Sequence, residues 1–365
     1  AAMYLMALCH NALGRHGEVE KALGELARAH PTSAYQHDAA LLLGQALEAQ
    51  KKFHAAVEQY RKSAAAAPTA RQAEFRFSLA GALHKAGRYD DAARQCASLL
   101  AEFAGSAYAP AARLQLGLSQ LAAGKPDAAR QTLEGVTRDD PRRATVARYW
   151  LAQCDIAQKK FDPALATLDA LLKQTPLPEN AATIAFDRAM CLLGLGRYDE
   201  AAGAFGEYRK QYGNAPQAAE AAYRQAFCLH KLARYDQSHA LCAQVIKAGG
   251  AVAPAARELD AENLFLLNNH AEAAKAFASL LEASRDEDQR LRFTLRHGQC
   301  AYMAGDYAAA AQRLAPLADA RKALADDQLA RGVLLLGDAL LQTDKPREAA
   351  AALGKYLAVP KQDRH

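Results

Sequence analysis

Apolar and small residues recur along this chain with helical spacing, in pairs of segments joined by a short polar turn. Two stretches make the pairing visible: "GRYDDAARQC" runs from Gly87 to Cys96, and "GRYDEAAGAF" runs from Gly196 to Phe205. Helical spacing on either side of a Gly-containing turn predicts two antiparallel helices. The pattern therefore predicts an all-α chain made of repeated helical hairpins.

The Tyr of "GRYD" has an equivalent in ten places, which we call the anchors and number as position zero of each repeat. Successive anchors lie 35 to 39 residues apart. The anchors are His16, Phe53, Tyr89, Pro126, Phe161, Tyr198, Tyr235, His270, Tyr307 and Pro346. A first helix is expected before each anchor and a second helix after it.

Three further positions repeat with the anchor. Position −9 is Gly or Ala in all ten copies, position +3 is small with Val19 and Ser238 as variants, and position +7 carries a bulky or sulfur side chain. Small residues at −9 and +3 predict close approach of the two helices, with the +7 side chain filling the space around them. Asp follows the anchor in five copies, where it is expected to accept hydrogen bonds from the second helix's free N–H groups.

These positions resemble the tetratricopeptide repeat, which has Leu-Gly in its first helix, a Gly-x-Tyr turn, and an Ala and an aromatic residue in its second. The stretches "LLLGQALEAQKKFHAAVEQY" and "LLLGDALLQTDKPREAAAAL" carry the resemblance. It implies a right-handed α-solenoid, a TPR-like superhelix of about ten antiparallel helix pairs over residues 1–365. Segments such as "YGNAPQAAEAAYRQA" resemble the longer repeats of bacterial envelope proteins, of the Tol-Pal coordinator and outer-membrane assembly lipoprotein type.

The sequence predicts one continuous domain with a possible hinge near residues 248–254, where "AGGAVAPAA" is the loosest connection. Ala1 already falls within a first helix, and "VPKQDRH" follows a complete second helix without a capping helix. Because solenoids need protected ends, we expect the chain to be part of a longer protein.

Composition and charge exclude several classes of function. The sequence has no run of ~18 apolar residues that would cross a membrane, and its net charge of +5 is too small to indicate nucleic acid. Seven cysteines occupy two recurring positions, −7 and +7, which predicts packing; only Cys228 and Cys242 face each other within one repeat and could bond. No catalytic, nucleotide or metal motif is present, so we expect no enzyme activity, no cofactor, no metal and no small-molecule substrate.

Family resemblance assigns the inner, concave groove to the first helices, at positions −15, −12, −8, −5 and −4. Apolar and aromatic side chains at these positions could receive a peptide, although an aromatic at −12 can equally serve packing between repeats. The expected partner-binding residues are Phe77, Tyr149, Phe186, Met190, Tyr223, Phe227, Phe265 and Tyr302. Seven acidic residues against four basic ones at groove positions argue against a phosphate backbone as the ligand.

Four polar residues replace the expected Leu at position −10 of copies six to nine, namely Arg188, Gln225, Asp260 and His297. They are expected to form a polar network, with Gln225 paired to Arg188 or Asp260; the alternative is that the local packing opens a recognition surface there. The leading hypothesis is a non-catalytic scaffold for a protein or peptide in a bacterial envelope assembly. The alternative is the regulatory or sensor arm of a larger enzyme or transcription regulator. The envelope resemblance favours the periplasm, whereas seven thiols fit the cytoplasm better.

Overall fold

The computed structural model of the chain describes residues 1–359, and all regular structure in this range is α-helical. Packing divides the chain into two compact units, the first ending at Ile184 and the second beginning at Ala185. The helices of the first unit are α1 (Ala2–Ala12), α2 (His16–Ala29), α3 (Gln36–Ala49), α4 (Phe53–Ala66), α5 (Thr69–Lys85), α6 (Tyr89–Glu102), α7 (Ala109–Ala122), α8 (Pro126–Asp139), α9 (Ala144–Ala157) and α10 (Phe161–Leu172).

The division falls inside the next helix, and the rest of the second unit repeats the same arrangement of helix pairs. Its helices are α11 (Ala181–Gly194), α12 (Tyr198–Gln211), α13 (Ala218–Lys231), α14 (Tyr235–Ala248), α15 (Ala253–Leu266), α16 (His270–Ala283), α17 (Glu287–Met303), α18 (Tyr307–Asp319), α19 (Arg321–Ala325), α20 (Asp327–Gln342) and α21 (Pro346–Leu357). From α1 to α10 and from α12 to α21, each helix packs against the next in the chain. This is the all-α solenoid class that the sequence predicts.

All ten second helices begin at the predicted anchor residue. Each turn before an anchor closes in the same way: in the third copy, Arg88 N–H donates to Leu83 O at 2.9 Å and Gly87 N–H to His84 O at 3.0 Å. This is a Schellman closure, which needs a residue in the left-handed conformation at its C′ position. Position −2 has positive φ in every copy, and it is glycine in five of them.

The predicted close approach of the paired helices is confirmed by burial. Six copies have Ala at −9, and each of these alanines is completely buried. Four copies have Gly there, and a Cβ built on Gly117 would lie 2.7 Å from Leu133, the +7 residue of its own repeat. The small residue at −9 therefore makes room for the large side chain of the facing helix.

The aspartates after the anchors do not cap the second helices as the sequence suggested. None of these five helices has a side-chain capping hydrogen bond. Instead, Lys125 Nζ lies 2.7 Å from an Asp90 oxygen and Arg234 Nη1 lies 2.7 Å from an Asp199 oxygen. The basic partner in each case precedes the next anchor, so the carboxylate joins one repeat to the following one.

The single continuous domain and the hinge near residues 248–254 stay predictions. Gly249 and Gly250, which lie between α14 and α15, both have positive φ. The boundary between the two compact units lies elsewhere, at residues 184 and 185. The end of the tail "VPKQDRH" from Pro360 onward lies outside the described residues.

Candidate functional site

The first helices form one face within each unit, because first helices of successive repeats contact each other as well as their own second helices. Such contacts join α5 to α7 and α7 to α9 in the first unit, and α13 to α15 and α17 to α20 in the second. Side chains at equivalent positions of these helices are therefore neighbours on the same surface.

In the first unit, the predicted partner-binding aromatics mainly contact other aromatic rings. Phe77 is half-buried, and its ring centroid lies 5.7 Å from that of Tyr108. Tyr149 is 9% exposed and meets Trp150 edge-to-face, with ring centroids 5.3 Å apart. The structure gives both residues a packing role.

In the second unit, Phe186 packs edge-to-face against the buried rings of Phe205 and Tyr208, at centroid distances of 5.9 and 5.6 Å. Met190, one helical turn later on α11, is half-buried. Neither residue lines a described cavity.

Phe265 and Tyr302 occupy the same repeat position, −5, and each is engaged by the following repeat. The guanidinium carbon of Arg296 lies 4.8 Å from the centre of the Phe265 ring. The Tyr302 hydroxyl donates to Asp338, and this bond raises the pKa of Tyr302. Both aromatic side chains therefore help to join neighbouring repeats.

Tyr223 and Phe227 are the two predicted site residues that line one common cleft, which has a volume of about 880 Å³. The cleft lies on the first-helix face of α13, α15, α17 and α20. At the predicted groove positions −15, −12 and −8, its lining residues are Tyr223, Phe227, Ala255, Glu258, Glu262, Arg292, Leu295, Gln299 and Arg331. We call this space the unit-two cleft.

The charges of the unit-two cleft are only partly paired. Arg296 forms two contacts with Glu262, from Nε to Oε1 at 2.9 Å and from Nη2 to Oε2 at 2.8 Å. Lys322 pairs with Asp288. Glu258 and Arg292, which also line the cleft, form no ion pair with each other in the part of the chain that the structure describes.

Intramolecular contacts account for most of the acidic charge that the sequence places on groove positions. Five of the seven acids make ion pairs, and Asp338 accepts from Tyr302. Lys85 is likewise paired with Glu48 at 2.5 Å, and Lys231 Nζ lies 5.3 Å from the centre of the Phe227 ring. Among the groove charges in residues 1–359, Glu258, Arg292 and Arg331 are left with neither an ion pair nor one of these other contacts. The sequence places more acidic than basic residues at groove positions, but most of these acids are already paired. The count of residues therefore does not give the charge that a ligand would meet.

Two of the polar residues at position −10, Gln225 and Asp260, pair with second-helix residues that the sequence analysis did not name. Gln225 Oε1 accepts from Arg209 at 2.8 Å, and Asp260 Oδ1 lies 2.6 Å from His239 Nδ1. Both partners lie on the second helix of the preceding repeat. In these two copies position −10 therefore faces the second helix of the preceding repeat.

Two histidines at position −5 also bridge repeats, a role that the sequence analysis missed. His230 Nδ1 lies 2.8 Å from Asn263 Oδ1, and His84 Nδ1 lies 3.1 Å from Ser119 Oγ. Asn263 and Ser119 are completely buried at position −7 of the next repeat. Burial is also the main cause that lowers the pKa of His84.

The cysteines pack as predicted, apart from Cys9. Six are buried, and burial raises the pKa of Cys96, Cys191 and Cys242 to about 12. Cys228 and Cys242 are both free thiols, so the possible disulfide is not formed. Cys9, in the first helix α1, is exposed.

The short helix α19 is a second feature that the sequence analysis missed, and it contributes Lys322 to the unit-two cleft. The available signal was the interval of 39 residues between the last two anchors, the longest in the chain. In residues 1–359, no group of three or more His, Cys, Asp or Glu side chains is arranged to hold a metal ion. None of the described helices is both long and apolar enough to span a membrane.

Comparison with known proteins identifies the repeat. Two family models, both described as tetratricopeptide repeat, match residues 83–147 and 120–185, and residues 41–107, 156–216 and 186–251, respectively. No curated protein matches the chain.

Solved structures with the same helical architecture come from several proteins. The apo form of RapI is 10% identical, with 90% of this chain and 100% of that chain covered and a TM-score of 0.57. A tetratricopeptide repeat protein from Parabacteroides merdae is 18% identical, with 69% and 94% covered and a TM-score of 0.46. The C-terminal part of a repeat protein from Cytophaga hutchinsonii is 12% identical, with 70% and 93% covered and a TM-score of 0.47. Tetratricopeptide repeats generally mediate protein–protein interaction and typically form non-catalytic scaffolds, and the matches to their models show that this chain belongs to the tetratricopeptide repeat family.

Proposed function

We propose that this chain is a non-catalytic scaffold that binds a protein or peptide partner through the face formed by its first helices. The observation that carries the proposal is the unit-two cleft, whose lining residues recur at the same positions of successive first helices. Its volume of about 880 Å³ is large enough for several side chains. Aromatic and aliphatic walls beside charged groups suit the apolar anchors and polar rim of a peptide interface.

The charge of the unit-two cleft favours a peptide over nucleic acid as the occupant. It is lined by four acidic and four basic side chains, so its formal charge is balanced. A phosphate backbone is bound by an excess of Lys and Arg. The envelope resemblance of the sequence makes a bacterial envelope assembly the first setting in which to seek the partner. The regulatory arm of a larger enzyme or transcription regulator stays the alternative.

Blocking the cleft tests this proposal better than removing its aromatic rings would. Tyr149 and Phe186 pack within their units, so truncating them would disturb folding. Ala255 lines the cleft and is only half-buried, so Ala255→Tyr would fill the space without removing a contact. Ala308→Tyr is the matched control, because Ala308 is exposed on the second helix α18.

Both variants and the native chain should be used as baits in extracts of the source cell, after circular dichroism has shown equal folding. We expect a partner that the native chain and Ala308→Tyr retain to be lost from Ala255→Tyr. Retention of every partner by Ala255→Tyr would remove the cleft from the binding surface.

A further inference from the structure

The unit-two cleft contains two arginines in equivalent positions that carry unsatisfied charge. Arg292 on α17 and Arg331 on α20 are both at position −15 of their repeats, and both line the cleft. Their helices contact each other, and both side chains belong to exposed residues. Neither arginine has an ion-pair partner among the described residues, whereas Arg296 and Lys322 beside them are paired.

The acids lining the cleft do not neutralise these two arginines. Asp288 forms an ion pair with Lys322, and both carboxylate oxygens of Glu262 are in contact with the guanidinium group of Arg296. Asp326 Oδ1 accepts from the backbone N–H groups of Gln328 and Leu329, at 2.8 and 2.9 Å, and so caps α20. Glu258 is free of ion pairs, but it lies on α15, one repeat before the first of the two arginines.

The two helices that carry the arginines, α17 and α20, also supply an apolar wall to the cleft. Leu295 and Leu329 line the cleft together with Phe293, which is 8% exposed. A ligand that fits this surface presents negative groups to the arginines and apolar side chains to the wall. Guanidinium groups bind carboxylates in a planar, two-contact geometry that adds specificity to attraction.

The spacing of the two arginines sets the spacing of the negative groups. Packed helices lie about 8–10 Å apart, so equivalent residues on α17 and α20 are separated by a similar distance along the surface. A peptide in the polyproline II conformation rises about 3.1 Å per residue and has three residues per turn, so side chains three residues apart lie on the same face. Carboxylates three residues apart therefore match the two arginines.

We propose that the unit-two cleft binds an acidic peptide segment of a partner protein, with carboxylates three residues apart held by Arg292 and Arg331 and apolar side chains between them. This proposal rests on the proposed function and adds the chemistry of the partner. Because Glu258 on α15 is unpaired and would repel a carboxylate, the part of the segment that lies beside α15 carries no acidic side chain.

The test uses the full chain and a fluorescein-labelled peptide of four Glu-Leu-Ser repeats, followed by fluorescence anisotropy. The control peptide has Gln in place of Glu. We expect the Glu peptide to bind at least 10-fold more tightly than the Gln peptide, with an affinity that falls as salt is raised. Each of Arg292→Gln and Arg331→Gln should weaken Glu-peptide binding about 10-fold, the size expected for a hydrogen-bonded charge pair.

Arg257→Gln is the matched control variant, since Arg257 is exposed on the first helix α15, has no ion pair among the described residues and does not line the cleft. It should change the affinity less than twofold. If the Glu and Gln peptides bind equally and Ala255→Tyr abolishes the binding of both, the proposal of an acidic segment is wrong. The proposed function would stand in that case. Failure of the Glu peptide to bind, or equally tight Arg-dependent binding of a labelled DNA 12-mer, would also overturn the proposal of an acidic segment. Failure of the proposed function is recognised by a different result: in the cell-extract experiment, Ala255→Tyr would then retain every partner that the native chain retains.

Discussion

At the scale of the residue, the recurring demand is for a left-handed backbone two positions before each anchor. Five copies meet it with glycine, and the others use Lys51, Lys159, Ala233, Asn268 and Asp344 at φ between 57° and 60°. Glycine reaches this conformation without a Cβ penalty, and Asn and Asp tolerate it better than other residues do. The glycine of the "GR" that precedes several anchors therefore reflects a requirement for positive φ at position −2, which all ten copies share.

Ala233→Gly should raise the free energy of unfolding by about 0.5–1 kcal/mol, because relief of the strained φ outweighs the extra freedom of the unfolded chain. The opposite substitution, Gly196→Ala, should lower it by a similar amount, since a Cβ there meets no atom within 4 Å and acts through the backbone alone. Urea unfolding measures both. Ala240→Gly, an exposed helical position of the same repeat as Ala233, controls for glycine in general and should be destabilising. Destabilisation by Ala233→Gly would show that the turn is not strained by alanine.

At the scale of the element, neighbouring repeats are matched through positions −5 and −7. A histidine at −5 precedes a buried Ser119 or Asn263 at −7 of the next repeat. Where −7 is cysteine, the preceding −5 residue is apolar, as in Leu193 before Cys228. A buried polar group needs a partner, so the two positions change together.

The His230–Asn263 pair tests this matching. Asn263 is completely buried, its Nδ2 donates to Ser238 Oγ, and its Oδ1 accepts from His230. His230→Leu should cost about 1–3 kcal/mol of unfolding free energy, because it leaves the buried Asn263 oxygen without its donor. Adding Asn263→Cys copies the Leu193 and Cys228 combination and should recover part of that loss. Additive effects of the two changes in urea unfolding would mean that the positions are independent.

The helices and their core contacts could be predicted from the sequence because they depend on residue size at fixed repeat positions. Gly117 against Leu133 is an example in which size alone decides the contact. The polar contacts could not, because a long side chain at one position can reach several neighbours. Gln225 was expected to meet Arg188 or Asp260, yet it accepts from Arg209 on a second helix. In the site, the groove positions were predictable, but the pairing that leaves Arg292 and Arg331 unpaired was not.

At the scale of the whole molecule, buried thiols are distributed over both compact units and report on how the chain opens. Cys96 and Cys154 lie in the first unit, and Cys191, Cys228, Cys242 and Cys300 lie in the second. Burial raises the pKa of Cys154, Cys228 and Cys300 to about 11, so these thiols carry little thiolate near neutral pH.

Iodoacetamide at pH 8 should therefore alkylate Cys9 rapidly and the six buried thiols only after unfolding. A series of urea concentrations, read by mass spectrometry of each cysteine peptide, follows the opening of both units. If the chain is one continuous domain, all six thiols should become reactive over the same urea range. Separate transitions for Cys96 and Cys300 would contradict that prediction, and Cys9→Ser provides the baseline without the fast-reacting thiol.

The central claim is that the first-helix face at the unit-two cleft is where a partner protein binds. The most direct measurement is photo-cross-linking in the source cell with benzoylphenylalanine placed at Gln328, an exposed residue that lines the cleft, and at Ala308, on the exposed side of α18. The account predicts that one partner is cross-linked from Gln328, that Arg292→Gln with Arg331→Gln reduces this product, and that Ala308 does not give it. Cross-linking of that partner from Ala308 and not from Gln328 would contradict the account.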